Sequence, residues 1–142
     1  MEFVIVGYGR VGRGTVRGLR AGGYDVTVVE ADPERARRAR EDGIKVIEGD
    51  CESADTLEQA GIADADALAA LTGDLNANFA ACIIANEHDC RTVLRIDEDY
   101  RTEIYEGYAE DVDEIIYPHP PRAPGFSRRG TPVRRRARRC PR

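Results

Sequence analysis

The sequence predicts an α/β fold, a doubly wound parallel sheet with helices on both faces, and three observations carry that expectation. Short β-branched runs alternate with helix-period patterns over residues 1–118. A glycine-rich turn stands between the first strand run and the first helix pattern. The run Ala67–Leu71 is apolar throughout, as befits a strand covered on both faces.

Glu2–Val6 reads as the first strand, and the helix after the turn sets Val11, Thr15 and Leu19 on one face. Gly14 and Gly18 are expected to bring that helix close to the sheet, and Gly22-Gly23 to stop it. Tyr24–Val29 is the second strand. Asp32-Pro33 then opens a charged, exposed helix through Arg40, with Asp at the N-cap and Pro at the first helical position. Gly43 ends that helix and Ile44–Ile47 forms the third strand. Ser53 caps a short helix carrying Leu57, Ala67–Leu71 is the fourth strand, and Asp74–Asn86 is the most apolar helix. Thr92–Ile96 is the fifth strand, Tyr100–Tyr108 reads as helical, and Glu114–Tyr117 is a sixth strand ended by Pro118. With right-handed crossovers the expected strand order is 3-2-1-4-5-6.

The net charge of −5 joins two unlike segments. The first 120 residues hold twelve basic side chains against all 26 acidic ones, a net charge of −14, and Lys45 is their one lysine. Such a body suits a halophile, where molar salt screens self-repulsion; an ordinary acidic bacterial protein is the alternative. From His119 to Arg142 the chain has nine arginines, five of its seven prolines, and no leucine or isoleucine. That segment is expected to be a disordered basic tail beside a single domain over residues 1–118. Its composition is also what a shifted reading frame in a GC-rich gene would produce.

The longest apolar run, Phe79–Ala85, is far short of the about 20 residues that span a bilayer. Met1-Glu2 leads straight into a strand, and the four cysteines form no C-x-x-C pair, so a cytoplasmic location is expected.

Gly7-Tyr8-Gly9-Arg10-Val11-Gly12 is a G-x-G-x-x-G motif between a strand and a helix. Gly7 permits the tight turn, Gly9 lets the backbone approach a pyrophosphate, and Gly12 allows close packing. The helix start presents free N–H groups to phosphates, and Arg10 can clamp them with its guanidinium. The second strand ends at Glu30, 18 residues after Gly12, close to the about 20 of a Rossmann-type dinucleotide site. A carboxylate there accepts both ribose hydroxyls and repels a 2′-phosphate, so NAD, NADH or an adenine nucleotide such as ATP or ADP is favoured over NADP. Asp50 and Cys51, after the third strand, would by position sit beside the adenine, although the residues alone read as no more than a turn. His88 and Cys90 supply two metal-type ligands where zinc takes three or four. They read as a loop, and no metal is expected.

Several further segments match one family in order. These are Val28-Val29-Glu30-Ala31-Asp32-Pro33-Glu34-Arg35, Gly49-Asp50, Thr72-Gly73-Asp74 with Asn78, Arg95, and Asp113-Glu114-Ile115-Ile116-Tyr117-Pro118. Over residues 1–118 the chain resembles the N-terminal, TrkA-N type domain of the RCK family, regulators of potassium conductance and uptake. The resemblance implies that Glu30 binds the adenosine ribose, that Asp50 and Cys51 contact adenine, and that Arg10 and Arg95 approach the phosphates. Glu30 stands where the family more often has Asp, and Cys51 where a small residue such as Ala is usual.

The resemblance further implies a cytosolic, nucleotide-sensing regulatory subunit that catalyses nothing. Its partner would be a membrane potassium channel or transporter, which would hold it at the inner face of the membrane. In the family form these domains are homo-oligomers whose packing changes with the ligand. The alternative is a coenzyme-binding fragment of an NAD-dependent oxidoreductase. The arginine tail would attract nucleic acid phosphates, but no aromatic platform accompanies it, and no nucleic acid partner is expected.

Overall fold

In a computed structural model, residues 1–95 and 112–116 are described. Ten elements follow one another as β1 (Glu2–Val6), α1 (Arg10–Ala21), β2 (Asp25–Glu30), α2 (Pro33–Glu41), β3 (Lys45–Glu48), α3 (Ala54–Gln59), β4 (Ala67–Ala70), α4 (Leu75–Glu87), β5 (Arg91–Arg95) and β6 (Glu114–Ile116). The expected helix over 100–108, the end of the last strand at Tyr117, and the whole segment 119–142 lie outside the described residues. Other boundaries agree with the sequence reading to within a few residues, and Glu30 is the last residue of β2 itself.

All six strands are parallel and their order is 3-2-1-4-5-6. This is the Rossmann-type doubly wound arrangement expected from the sequence. Alternate strand residues face opposite layers. Ile5 and Val28 point to the layer of α1 and α2, where they meet Val16, Ala39 and Ile44. Val4, Val6, Val29, Leu68 and Leu94 point to the other layer, under Leu57 of α3 and Ala81, Cys82 and Ala85 of α4.

Local chemistry sets the helix starts. The Asp32 carboxylate accepts from the Arg35 N–H, Ser53 from the Thr56 N–H, and Asp74 from the Asn76 and Ala77 N–H groups. Only α2 is as charged as expected, burying just Ala36 and Ala39. At the sheet edge Asp113 is buried and accepts the Thr92 N–H at 2.8 Å, while the Thr92 hydroxyl accepts the Asp113 N–H at 3.0 Å. That reciprocal pair locks β6 to β5.

One expectation fails. Gly14 and Gly18 do not bring α1 to the sheet: both are exposed, and a Cβ on either would meet nothing within 4 Å. The buried positions of α1 are Gly12 and Val16, with Val11 and Leu19 partly buried beside them. The apolar stripe is therefore rotated toward Gly12–Val16, and Thr15 sits at its margin, its hydroxyl returned to the Val11 carbonyl at 2.9 Å.

Candidate functional site

The carboxyl ends of β1, β2, β3 and β4 surround a crevice of about 600 Å³, within the usual range for small-molecule sites. It lies where the strand order reverses between β1 and β4, the place where open α/β sheets take ligands.

The glycine turn forms one wall, and its three glycines have different reasons. Gly7 has φ +100°, a conformation open to glycine, and its N–H donates to the Val29 carbonyl at 2.9 Å. A Cβ on Gly12 would stand 2.0 Å from the Gly7 carbonyl oxygen, so Gly12 is required by the fold and does not line the crevice. A Cβ on Gly9 would meet only the Arg35 guanidinium, at 3.8 Å. The fold tolerates a side chain there, and the crevice would lose the space.

Gly9 is the N-cap of α1, and no side chain caps this helix, in contrast to α2, α3 and α4. The positive end of its dipole therefore opens into the crevice between Gly9, Arg10 and Val11.

Glu30 closes the second wall and is 7% exposed. Its Oε1 accepts the Tyr8 N–H at 2.6 Å and its Oε2 accepts the Asp32 N–H at 2.9 Å. The carboxylate thus ties the glycine turn to the start of α2, a role the sequence reading missed. An ionised carboxylate has about four acceptor positions, so capacity remains for ribose hydroxyls.

Asp50 and Cys51 form the third side. The Asp50 carboxylate accepts the Glu52 N–H at 2.8 Å. Cys51 lines the crevice, yet its thiol is turned to the core and donates to the Ala77 carbonyl at 3.6 Å. Burial, then the neighbouring Asp50 and Glu52 carboxylates, push this thiol's pKa from 9.0 up to about 12, which favours the neutral thiol at neutral pH.

The Arg95 guanidinium stands at the far wall and donates to the Leu71 carbonyl at 2.9 Å. The buried Asn78 amide braces the same corner, donating to the Thr72 carbonyl at 2.8 Å and the Arg95 carbonyl at 3.2 Å. Of the expected site residues, Gly7, Gly9, Arg10, Val11, Glu30, Asp50, Cys51 and Arg95 line one crevice. Gly12 stands behind it.

Arg35 also lines the crevice and was not singled out from sequence, because its place over Gly9 depends on how α2 packs. The walls carry five carboxylates, Glu30, Asp32, Asp50, Glu52 and Asp74, against three guanidiniums, Arg10, Arg35 and Arg95, so the pull on an anion is local to the end that holds Arg10 and Arg35. Glu30, Asp32, Asp50 and Asp74 already accept backbone N–H groups. The Arg10 and Arg35 guanidiniums have neither ion pair nor hydrogen bond among the described residues. No group of three metal-type ligands occurs among the described residues, and no described helix is long and apolar enough to cross a membrane.

The TrkA-N domain model matches residues 3–118. The chain belongs to the TrkA-N domain family. It is 42% identical over 114 residues to a Trk system potassium uptake protein TrkA homolog of Pyrococcus abyssi, covering 78% of this chain and 50% of that protein. This TrkA-N chain therefore spans about half the length of the curated relatives it matches. Among solved structures it is similar to the Kef C-terminal domain of Shewanella denitrificans in its AMP-bound form. That match has a TM-score of 0.68 and 26% identity, over 82% of this chain and 71% of that one. The GsuK channel bound to NAD shares the fold, with a TM-score of 0.67 and 19% identity over 81% of this chain and 21% of that one.

Proposed function

We propose that this TrkA-N domain is a cytosolic nucleotide sensor that regulates a membrane potassium transport system and catalyses no reaction. The observation that carries the proposal is the crevice. The uncapped α1 start, with Arg10 and Arg35 uncommitted, would take phosphate, Glu30 the ribose, and the Asp50–Cys51 turn the adenine, all from positions along one crevice. NAD, NADH, ADP or ATP would be accepted, and NADP disfavoured by the negative charge of Glu30. A solved relative holds AMP and a fold neighbour holds NAD, which supports an adenine nucleotide as the ligand class.

Sensing rather than catalysis is supported by the walls themselves. The crevice's single thiol is held toward its neutral form by burial, and Glu30 and Asp50 are engaged by backbone donors. A sensor needs only a difference in ligand affinity between two conformations. The potassium uptake proteins among its relatives support a potassium transport system as the setting. In this reading a membrane channel or transporter is the partner, and homo-oligomeric domains would repack as the ligand changes.

Sedimentation of the full chain with each nucleotide, and its co-purification with the cognate membrane transporter, test this reading. The expected result is a nucleotide-dependent change in sedimentation or in transporter retention. Hydride transfer to a small substrate, with sedimentation and retention unchanged by any nucleotide, would favour the oxidoreductase reading.

A further inference from the structure

A second cavity, of about 250 Å³, lies on the α1–α2 layer. Its floor is Tyr8, Val16 and Ile44, all buried. Arg13, Arg17 and Arg20 stand along its rim, spaced i, i+4 and i+7 and therefore on one face of α1. The cavity is too small for a nucleotide and large enough for a phosphate group.

The electrostatics of this cavity differ from those of the surface around it. Three guanidiniums face a single carboxylate, Asp42, and that carboxylate is committed to the Tyr8 hydroxyl, which donates to it at 2.6 Å. Arg20 is anchored across the mouth, donating to the Asp42 carbonyl at 3.2 Å. Arg13 and Arg17 have no ion pair or hydrogen bond from their guanidiniums among the described residues. On α2, by contrast, Arg37 pairs with Glu34 and Glu41, and Arg40 with Glu48.

Eight of the twelve basic side chains in the first 120 residues fall between Arg10 and Arg40, in a segment whose charge contrasts with a body of −14. Clustered cations on an acidic molecule focus anions locally, and guanidinium forks match phosphate oxygens.

We propose that the Tyr8 cavity is a second anion site, distinct from the nucleotide crevice, which takes a phosphate group between Arg13, Arg17 and Arg20. A phosphate ester in solution and the phosphate of an anionic lipid headgroup present the same chemistry to these arginines. Tyr8 connects the site to the crevice, since its ring forms the cavity floor while its N–H is held by Glu30.

The test uses the full chain labelled on tyrosine rings, with the Tyr8 resonance assigned by its loss in Tyr8→Phe. Inorganic phosphate is titrated at constant ionic strength, and vesicles of phosphatidylglycerol or phosphatidylcholine are added in parallel. The expected result is a saturable Tyr8 shift that persists in Gly9→Val, where the crevice is obstructed. In Arg13→Gln/Arg17→Gln the response weakens by about tenfold or more, as loss of two charge-assisted contacts requires. Far-UV circular dichroism verifies that the double variant is folded. A response to free phosphate identifies a soluble ester, and a response to phosphatidylglycerol alone identifies a headgroup; either supports the site. A Tyr8 response unchanged in the double variant, or absent with both phosphate and vesicles, would overturn it.

Discussion

The Glu30 carboxylate accepts the backbone N–H of Tyr8 at 2.6 Å, joining the end of β2 to the centre of the glycine turn. A second bond, from the Asp32 N–H at 2.9 Å, extends the link to the start of α2. Glu30→Ala removes both acceptors and leaves the Tyr8 N–H buried without its partner. The variant should lose about 1–3 kcal/mol of folding stability, the cost of an unsatisfied buried donor. It should also bind adenine nucleotides more weakly and discriminate less against NADP. Denaturant unfolding and calorimetry check the two effects separately, and unchanged stability would contradict the structural role.

The glycines divide by purpose, so their variants should divide too. Gly12→Ala places a Cβ 2.0 Å from the Gly7 carbonyl and should destabilise the fold itself, lowering the melting temperature clearly. A Cβ at Gly9 meets only the flexible Arg35 side chain, so Gly9→Val should keep the fold and lower melting far less than Gly12→Ala, while obstructing the crevice. A folded, fully stable Gly12→Ala would show that the turn can move apart from α1.

Alkaline pH should weaken the fold through the raised pKa values of Tyr8, Cys51 and the buried Cys82. Burial, then the hydrogen bond to Asp42, push Tyr8 from 10.0 up to about 12, and burial pushes Cys51 from 9.0 up to about 12. Each contribution is complete below the unfolded pKa and is lost as pH climbs toward the folded one. The melting temperature should therefore fall between about pH 9 and 12. Tyr8→Phe should flatten the part above pH 10, and an equally steep profile in that variant would contradict the assignment.

Salt should act in the opposite sense. A charge of −14 over the first 120 residues is self-repulsive, and KCl screens it. The melting temperature is expected to rise from low to molar KCl. A flat or falling curve would remove the halophile expectation.

Much of this fold was legible because its signals are local. The strand order followed from alternating patterns and handed crossovers, and the crevice from Gly7, Gly9 and Glu30 at the right spacing. Arg35 and the Tyr8 cavity were not legible, since both depend on how α2 and the turn after it come to lie beside the glycine turn and α1 on the sheet. The misplacement of Gly14 and Gly18 has a similar origin. α1 mixes arginine, glycine and small residues, so its periodicity leaves the buried face open by about one residue, and the close Gly12–Gly7 approach decides it. Cys51 lines the crevice, and the direction of its thiol was not legible because it depends on the Ala77 carbonyl of α4.

The central claim is that the crevice beside Gly9 holds an adenine nucleotide, and calorimetry of paired proteins tests it most directly. The full chain and Gly9→Val are titrated with NAD, NADH, ADP, ATP and NADP in molar KCl. The account predicts saturable binding of at least one nucleotide with a free 2′-hydroxyl, weaker binding of NADP, and loss of binding in Gly9→Val without loss of fold. Equal affinity in the two proteins, or no binding of any of the five, would contradict it.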